Sequence, residues 1–129
     1  MIRINTIPVP KARPRMNTIT GRTYTPSKTK NFEEYIAFEH KKQGGKYFDD
    51  KPIKLKLGFG FKVPKSYTKK DKQRALKGQI IPSKCDIDNL VKCVQDGLNT
   101  IAYKDDRYIY AIEATKKFDN EDYIEIEIV

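Results

Sequence analysis

The sequence predicts an α+β domain, a small mixed sheet with helices packed on one face, in the order β-α-β-(α)-α-β-β. Three observations predict it. Residues 53–63 alternate strictly between apolar and other side chains. Residues 89–101 carry an apolar stripe at helical spacing. Residues 108–116 and 123–129 read as two further strands around a turn-forming Phe118-Asp-Asn-Glu-Asp122 segment, which suits a hairpin.

Residues 2–9 read as a strand that Pro8 and Pro10 end. Residues 11–30 follow as a loop holding Lys11, Arg13, Arg15, Arg22, Lys28 and Lys30, with Gly21 and Pro26. A loop of this length inside a compact domain is usually functional or disordered. A helix over 29–43 has the stripe Phe32, Tyr35, Ile36, with Lys41 and Lys42 in its last turn and Gly44-Gly45 to stop it. In 53–63, Ile53, Leu55, Leu57, Phe59, Phe61 and Val63 share one face, as a half-buried strand requires. Gly58 and Gly60 leave room for another element on the second face. Residues 66–78 suit a short basic helix capped by Ser66 or Thr68 and ended by Gly78. An extended run over 79–85 comes next, since Pro82 bars a helix. In 89–101, Leu90, Val94, Leu98 and Ile101 form the apolar face, and Lys92, Asp96 and Asn99 lie opposite.

A chain of 129 residues is one domain, long enough to bury a core without disulfides or a structural metal. Cys85 and Cys93 are too far apart for a CxxC pair, and His40 is the single histidine, so neither a redox pair nor a zinc site is expected. There is no apolar run near the ~20 residues of a membrane helix, and Pro8, Lys11 and Arg13 interrupt any signal-peptide core. A cytoplasmic protein with no membrane partner is expected. The net charge is +9 and unevenly spread: 20 Lys or Arg against 6 Asp or Glu up to Pro82, then 6 against 11. A basic two-thirds of this kind points to an anionic partner such as nucleic acid.

The acidic third carries the chemistry. It contains Asp86-Ile-Asp88-Asn-Leu-Val-Lys92, then Asp96, then Tyr103-Lys-Asp105-Asp106. Aspartate holds its carboxylate close to the backbone, which suits a small hard cation with oxygen ligands. If Asp86 and Asp88 precede the helix in extended chain, both side chains leave the same side, ~6.6 Å apart. Asp88 is then the helix N-cap, with Lys92 one turn above it. A helix of thirteen residues is ~20 Å long, so Asp105 and Asp106 meet the first pair only if the chain folds back. Clustered carboxylates repel unless a cation pairs with them. Magnesium or manganese would neutralise them, activate a water and stabilise charge on a phosphate. Taken singly, these features have ordinary explanations: a helix cap, a surface ion pair, a solvated turn, a basic arm. Their coincidence in one basic chain is what singles them out. An EF-hand loop is excluded by Val91 where glycine is needed, and no phosphate-binding P-loop signature occurs.

With these residues the chain resembles the RusA family of Holliday-junction resolvases. The resemblance rests on Pro10-Lys-Ala-Arg-Pro-Arg15 with Gly21 and Tyr24, on Asp86 to Lys92 continuing through Asp96-Gly97-Leu98, and on Tyr103-Lys-Asp105-Asp106. It implies an intertwined homodimer that nicks four-way junction DNA in pairs with a divalent metal. It implies Asp86, Asp88 and Asp106 as essential acids and metal ligands, Lys92 as the essential lysine, and Asp96 in support. The chain departs from the family pattern in the basic segment 66–78 and at Arg107. Lys11, Arg13, Arg15 and Arg22 are expected to grip the DNA backbone. A C2 dimer matches the two-fold symmetry of a four-way junction and can make two equal cuts. Two other functions fit the same composition: a non-catalytic nucleic-acid-binding module, and a metal nuclease acting on flaps or other branched DNA.

Overall fold

The computed structural model describes residues 1–12, 15–16, 18–24 and 27–129, without the side chains of Arg15, Met16, Thr23 and Tyr24. In chain order the elements are β1 (Ile2–Ile4), β2 (Arg15–Met16), β3 (Thr23–Tyr24), α1 (Ser27–Lys42), β4 (Ile53–Lys62), α2 (Lys69–Leu76), α3 (Ile87–Leu98), β5 (Ile109–Asp119) and β6 (Tyr123–Ile128). A 3-10 turn at Asp106–Tyr108 leads into β5. The class is α+β, as expected, with a mixed sheet of order β1-β6-β4-β5.

β4 forms because its apolar side chains fall on alternate positions. Leu55, Leu57, Phe59 and Phe61 are buried under the helices, together with Phe32 and Ile36 of α1 and Leu90, Cys93, Val94 and Leu98 of α3. Gly97 sets the approach of the two helices. A Cβ there would lie 3.0 Å from the Glu33 carbonyl oxygen and 3.1 Å from Ile36 Cβ, so only glycine lets α1 come this close to α3.

Several expectations are corrected. β1 ends at Ile4 and not at residue 9, because the Thr6 N–H turns back to the Ile4 carbonyl at 3.1 Å and leads the chain off the sheet. The basic loop contains the β2–β3 pair, and α1 starts at Ser27. Tyr35, placed on the apolar stripe, is exposed, and buried Thr29 and His40 complete that face. α2 is shorter than expected, capped by Thr68, whose Oγ1 accepts from Asp71 N at 3.1 Å. Among the described residues no separate element covers the second face of β4. The ring of Tyr123, on adjacent β6, occupies the space a side chain at Gly60 would need, with Cε1 2.2 Å from the Cβ position.

The largest correction concerns the last two strands. They do not form a hairpin: β4 lies between them, parallel to β5 and antiparallel to β6. Residues 120–122 carry the chain across the end of β4, two strand spacings or ~10 Å, a span three residues can bridge. Asp122 secures the crossing by accepting the Lys62 N–H at 2.8 Å.

Candidate active site

α3 begins two residues earlier than expected, at Ile87, and Asp86 is its N-cap. This revises the expected geometry. Asp86 stands in extended backbone and makes no side-chain cap bond. Asp88 lies inside the first turn, its Oδ1 accepting the Asn89 N–H at 3.0 Å. The two are therefore not successive same-side residues of a strand. Both are exposed. Asp88, Lys92 and Asp96 instead succeed one another at i, i+4 along one face of α3.

The chain does fold back after α3. Thr100 takes a left-handed backbone, φ 66°. The Ala102 N–H returns to the Leu98 carbonyl at 2.8 Å. Tyr103 is completely buried and donates its hydroxyl to the Gln95 carbonyl at 2.9 Å. This anchor lays the following residues beside α3. Burial, and then the nearby Asp106, Asp96 and Asp105 carboxylates, push the Tyr103 phenol up, so it stays neutral. Asp106 Oδ2 comes 4.0 Å from Lys92 Nζ, and Asp96 Oδ1 lies 3.2 Å from the same nitrogen.

Asp96 is shared between two lysines. Its other oxygen is 3.1 Å from Lys11 Nζ, which also pairs with Glu33 of α1. The Lys11 N–H donates to the Asn89 carbonyl at 2.8 Å, and the Ala12 N–H to buried Thr29 Oγ1 at 3.3 Å, so residues 11–12 are tied to both helices. Burial alone would lower the Lys11 ammonium, but the hydrogen bonds and charges of Glu33 and Asp96 outweigh it and hold it above the ordinary lysine value. Lys11 thus faces inward on two carboxylates. Arg22 is exposed. Arg13 and the side chain of Arg15 lie outside the described residues. Glu33 was not singled out by sequence reasoning, and no local signal marks it: it borders the Phe32–Ile36 stripe as an ordinary helical glutamate would.

The structure brings Lys92, Asp96 and Asp106 together, with Lys11 and Glu33 behind them. It does not gather Asp86, Asp88 and Asp106. Among the described residues no group of three or more His, Cys, Asp or Glu is arranged to hold a metal ion. Like charges favour this spread, and the Lys92 ammonium takes the place beside Asp106. The donors nevertheless suit a hard cation. All are carboxylate oxygens, and Asp106 Oδ1 is buried with no hydrogen-bond partner, a costly state that a cation would relieve. Both cysteines are free. Burial, followed by the Glu33 charge, pushes the Cys93 thiol up to about 12.

Comparison with known proteins supports a nuclease. The chain is 32% identical over 126 residues to the uncharacterized protein YqaN of Bacillus subtilis, covering 94% of this chain and 89% of that one. The family described as Endodeoxyribonuclease RusA matches residues 5–129, which include every acid and lysine named above. A match across nearly the whole sequence establishes that this chain belongs to the RusA endodeoxyribonuclease family.

Proposed function

We propose that the chain is a divalent-metal-dependent endonuclease that resolves four-way DNA junctions as a homodimer. The observation that carries the reading is the return of Asp106 to Lys92, on the helix whose start presents Asp86 and Asp88. Asp86, Asp88 and Asp106 would hold magnesium or manganese, which when bound lowers the pKa of a water and stabilises charge on phosphate oxygens. The chain's own groups do the rest. The first turn of α3, with the Asn89 N–H taken by Asp88, offers the Ile87 and Asp88 backbone N–H groups to a phosphate. Lys92 places a positive charge where the non-bridging oxygens become more negative. Asp96 and Asp106 hold that ammonium from two sides. Arg13, Arg15 and Arg22 supply phosphate contacts that weaken as salt rises.

The homodimer is supported by β5, an eleven-residue strand at the sheet edge. Ile112 sits in register with wholly buried Leu55, yet it is 42% exposed, and Tyr110, the extra residue at the register shift opposite Lys54, is 68% exposed. The helices stop short of this corner, and a second copy would cover it.

The test compares wild type and Asp88→Asn on a labelled four-way junction and on linear duplex of the same sequence, with and without magnesium. Paired nicks on the junction alone, requiring magnesium and Asp88, are expected. Tight binding without cleavage in any metal would move the chain to the DNA-binding-module class. Equal cleavage of flaps would remove the junction from the proposal.

A further inference from the structure

Beside the start of α3 lies a cavity of roughly 580 Å³, within the ~300–1,000 Å³ range of small-ligand sites. Its apolar lining includes Phe61, Tyr67, Pro82 and Phe118. Tyr67 is half-buried, and its ring meets Phe118 edge-on at 5.9 Å between centroids. Lys28, Lys62 and Lys84 also line it, all exposed. Among the described residues none of these three lysines is ion-paired, in contrast to Lys11, Lys54 and Lys92. The acid in the lining, Asp122, is occupied by the Lys62 N–H.

The position of the cavity matters as much as its lining. It reaches Cys85, the residue before Asp86, and Pro10, the residue before Lys11. Its wall at Cys85 is held to the sheet by Lys116 of β5, whose Nζ donates to the Cys85 carbonyl at 2.7 Å. A strand whose phosphate lies at Asp86 and Asp88 is therefore within reach of the cavity.

We propose that this cavity takes a nucleobase unstacked from the strand being cut, with its flanking phosphates held by Lys28, Lys62 and Lys84. The proposal rests on the DNA-cleaving reading above and adds to it a site for reading the strand. An aromatic and proline wall suits the face of a flat ring, and the lysine rim suits the two phosphates on either side. An apolar peptide would leave the three ammonium groups unmatched. Unstacking costs least where pairing is already interrupted, as at a branch point.

The experiment uses full-length Asp88→Asn protein, so that bound DNA stays intact, and a junction carrying 2-aminopurine at successive positions near the branch. One position is expected to brighten on binding. Removing that base should weaken binding by roughly tenfold, in line with the stacking contribution of one base. Ser83→Trp, at the exposed margin of the cavity, should abolish both effects. Tyr67→Leu should reduce them and Tyr67→Phe should preserve them, with thermal unfolding confirming that each variant folds. Junction binding with no responding position overturns the base site and leaves the nuclease reading standing. So does a response that Ser83→Trp leaves unchanged, or a change of oligomeric state as the one effect of Ser83→Trp. Failure to bind any DNA overturns both.

Discussion

The two ends of the candidate site differ in how firmly they are held. Along the middle of α3, Lys92 and Asp96 belong to a chain of charged contacts that runs from Asp106 through Lys92 and Asp96 to Lys11 and Glu33. At the start of the same helix, Asp86 and Asp88 stand in solvent with no partner side chain among the described residues. The difference is physical. The middle lies where α1 and the N-terminal segment press on α3, so its charges are partly dehydrated and must be paired. The start of the helix protrudes beyond that contact, and water satisfies its acids. The first region positions a lysine. On the function proposed above, the second stays available to ligands that arrive with the substrate.

The sharpest way to break this comparison is at the open end. Asp88→Asn should lower junction nicking by at least ~100-fold, since metal-assisted catalysis contributes several kcal/mol at about tenfold per 1.4 kcal/mol. Thermal stability should barely change, as expected of an exposed residue. At the held end the pattern reverses. Lys11→Met leaves Asp96 and Glu33 facing each other, and should cost about 1–3 kcal/mol of stability, less than a fully buried ion pair because the side chain is 18% exposed. Nicking should fall about tenfold through kcat, because Lys92 is held less well. The sign of the pH dependence follows from the raised Lys11 pKa. Its contribution is complete below the ordinary value of 10.5 and is lost as pH rises through the higher folded value. The difference in Tm between wild type and Lys11→Met should therefore be constant from neutral pH to about 10 and shrink only beyond it.

Gly97→Ala tests whether the held region depends on close approach of the helices. A methyl group 3.0 Å from a backbone oxygen must push α1 away, at a cost of about 1–3 kcal/mol by the usual overpacking range. It should also weaken nicking by moving Glu33 and Lys11 away from Asp96. The smallest effect is a difference in reactivity. In folded protein at pH 8, half-buried Cys85 should react with a thiol reagent, and buried Cys93 should react only on unfolding.

Much of this was legible along the chain. The alternation in β4 and the apolar stripe of α3 identify the core, and the residues from Asp86 to Lys92 carry the resemblance to the family that the whole chain matches. The start of α3 was misplaced because Asp86 and Asp88 are equally good cap residues, and residue type alone does not choose between two such positions. The pairing of Lys11 with Glu33 and Asp96 was not legible. It joins residues from three separate segments and exists because Gly97 admits α1, a contact that no local period encodes. The same reason explains the missed strand order. A turn-forming segment between two strands reads as a hairpin, and nothing within it shows that β4 will be inserted.

That insertion has a consequence for how the molecule is made. Among the described strands, β1 has no neighbour but β6, and β4 also depends on β6 for its second edge. During translation β1 must wait for β6, which lies far behind it in the chain. The sheet that supports α3 cannot close before β6 has been synthesised. Such contacts between distant parts of a chain slow folding, and here they also delay it. A DNA-cutting site built on this sheet stays incomplete in the nascent chain until β6 has joined it, so the topology itself sets the earliest point at which cutting can start.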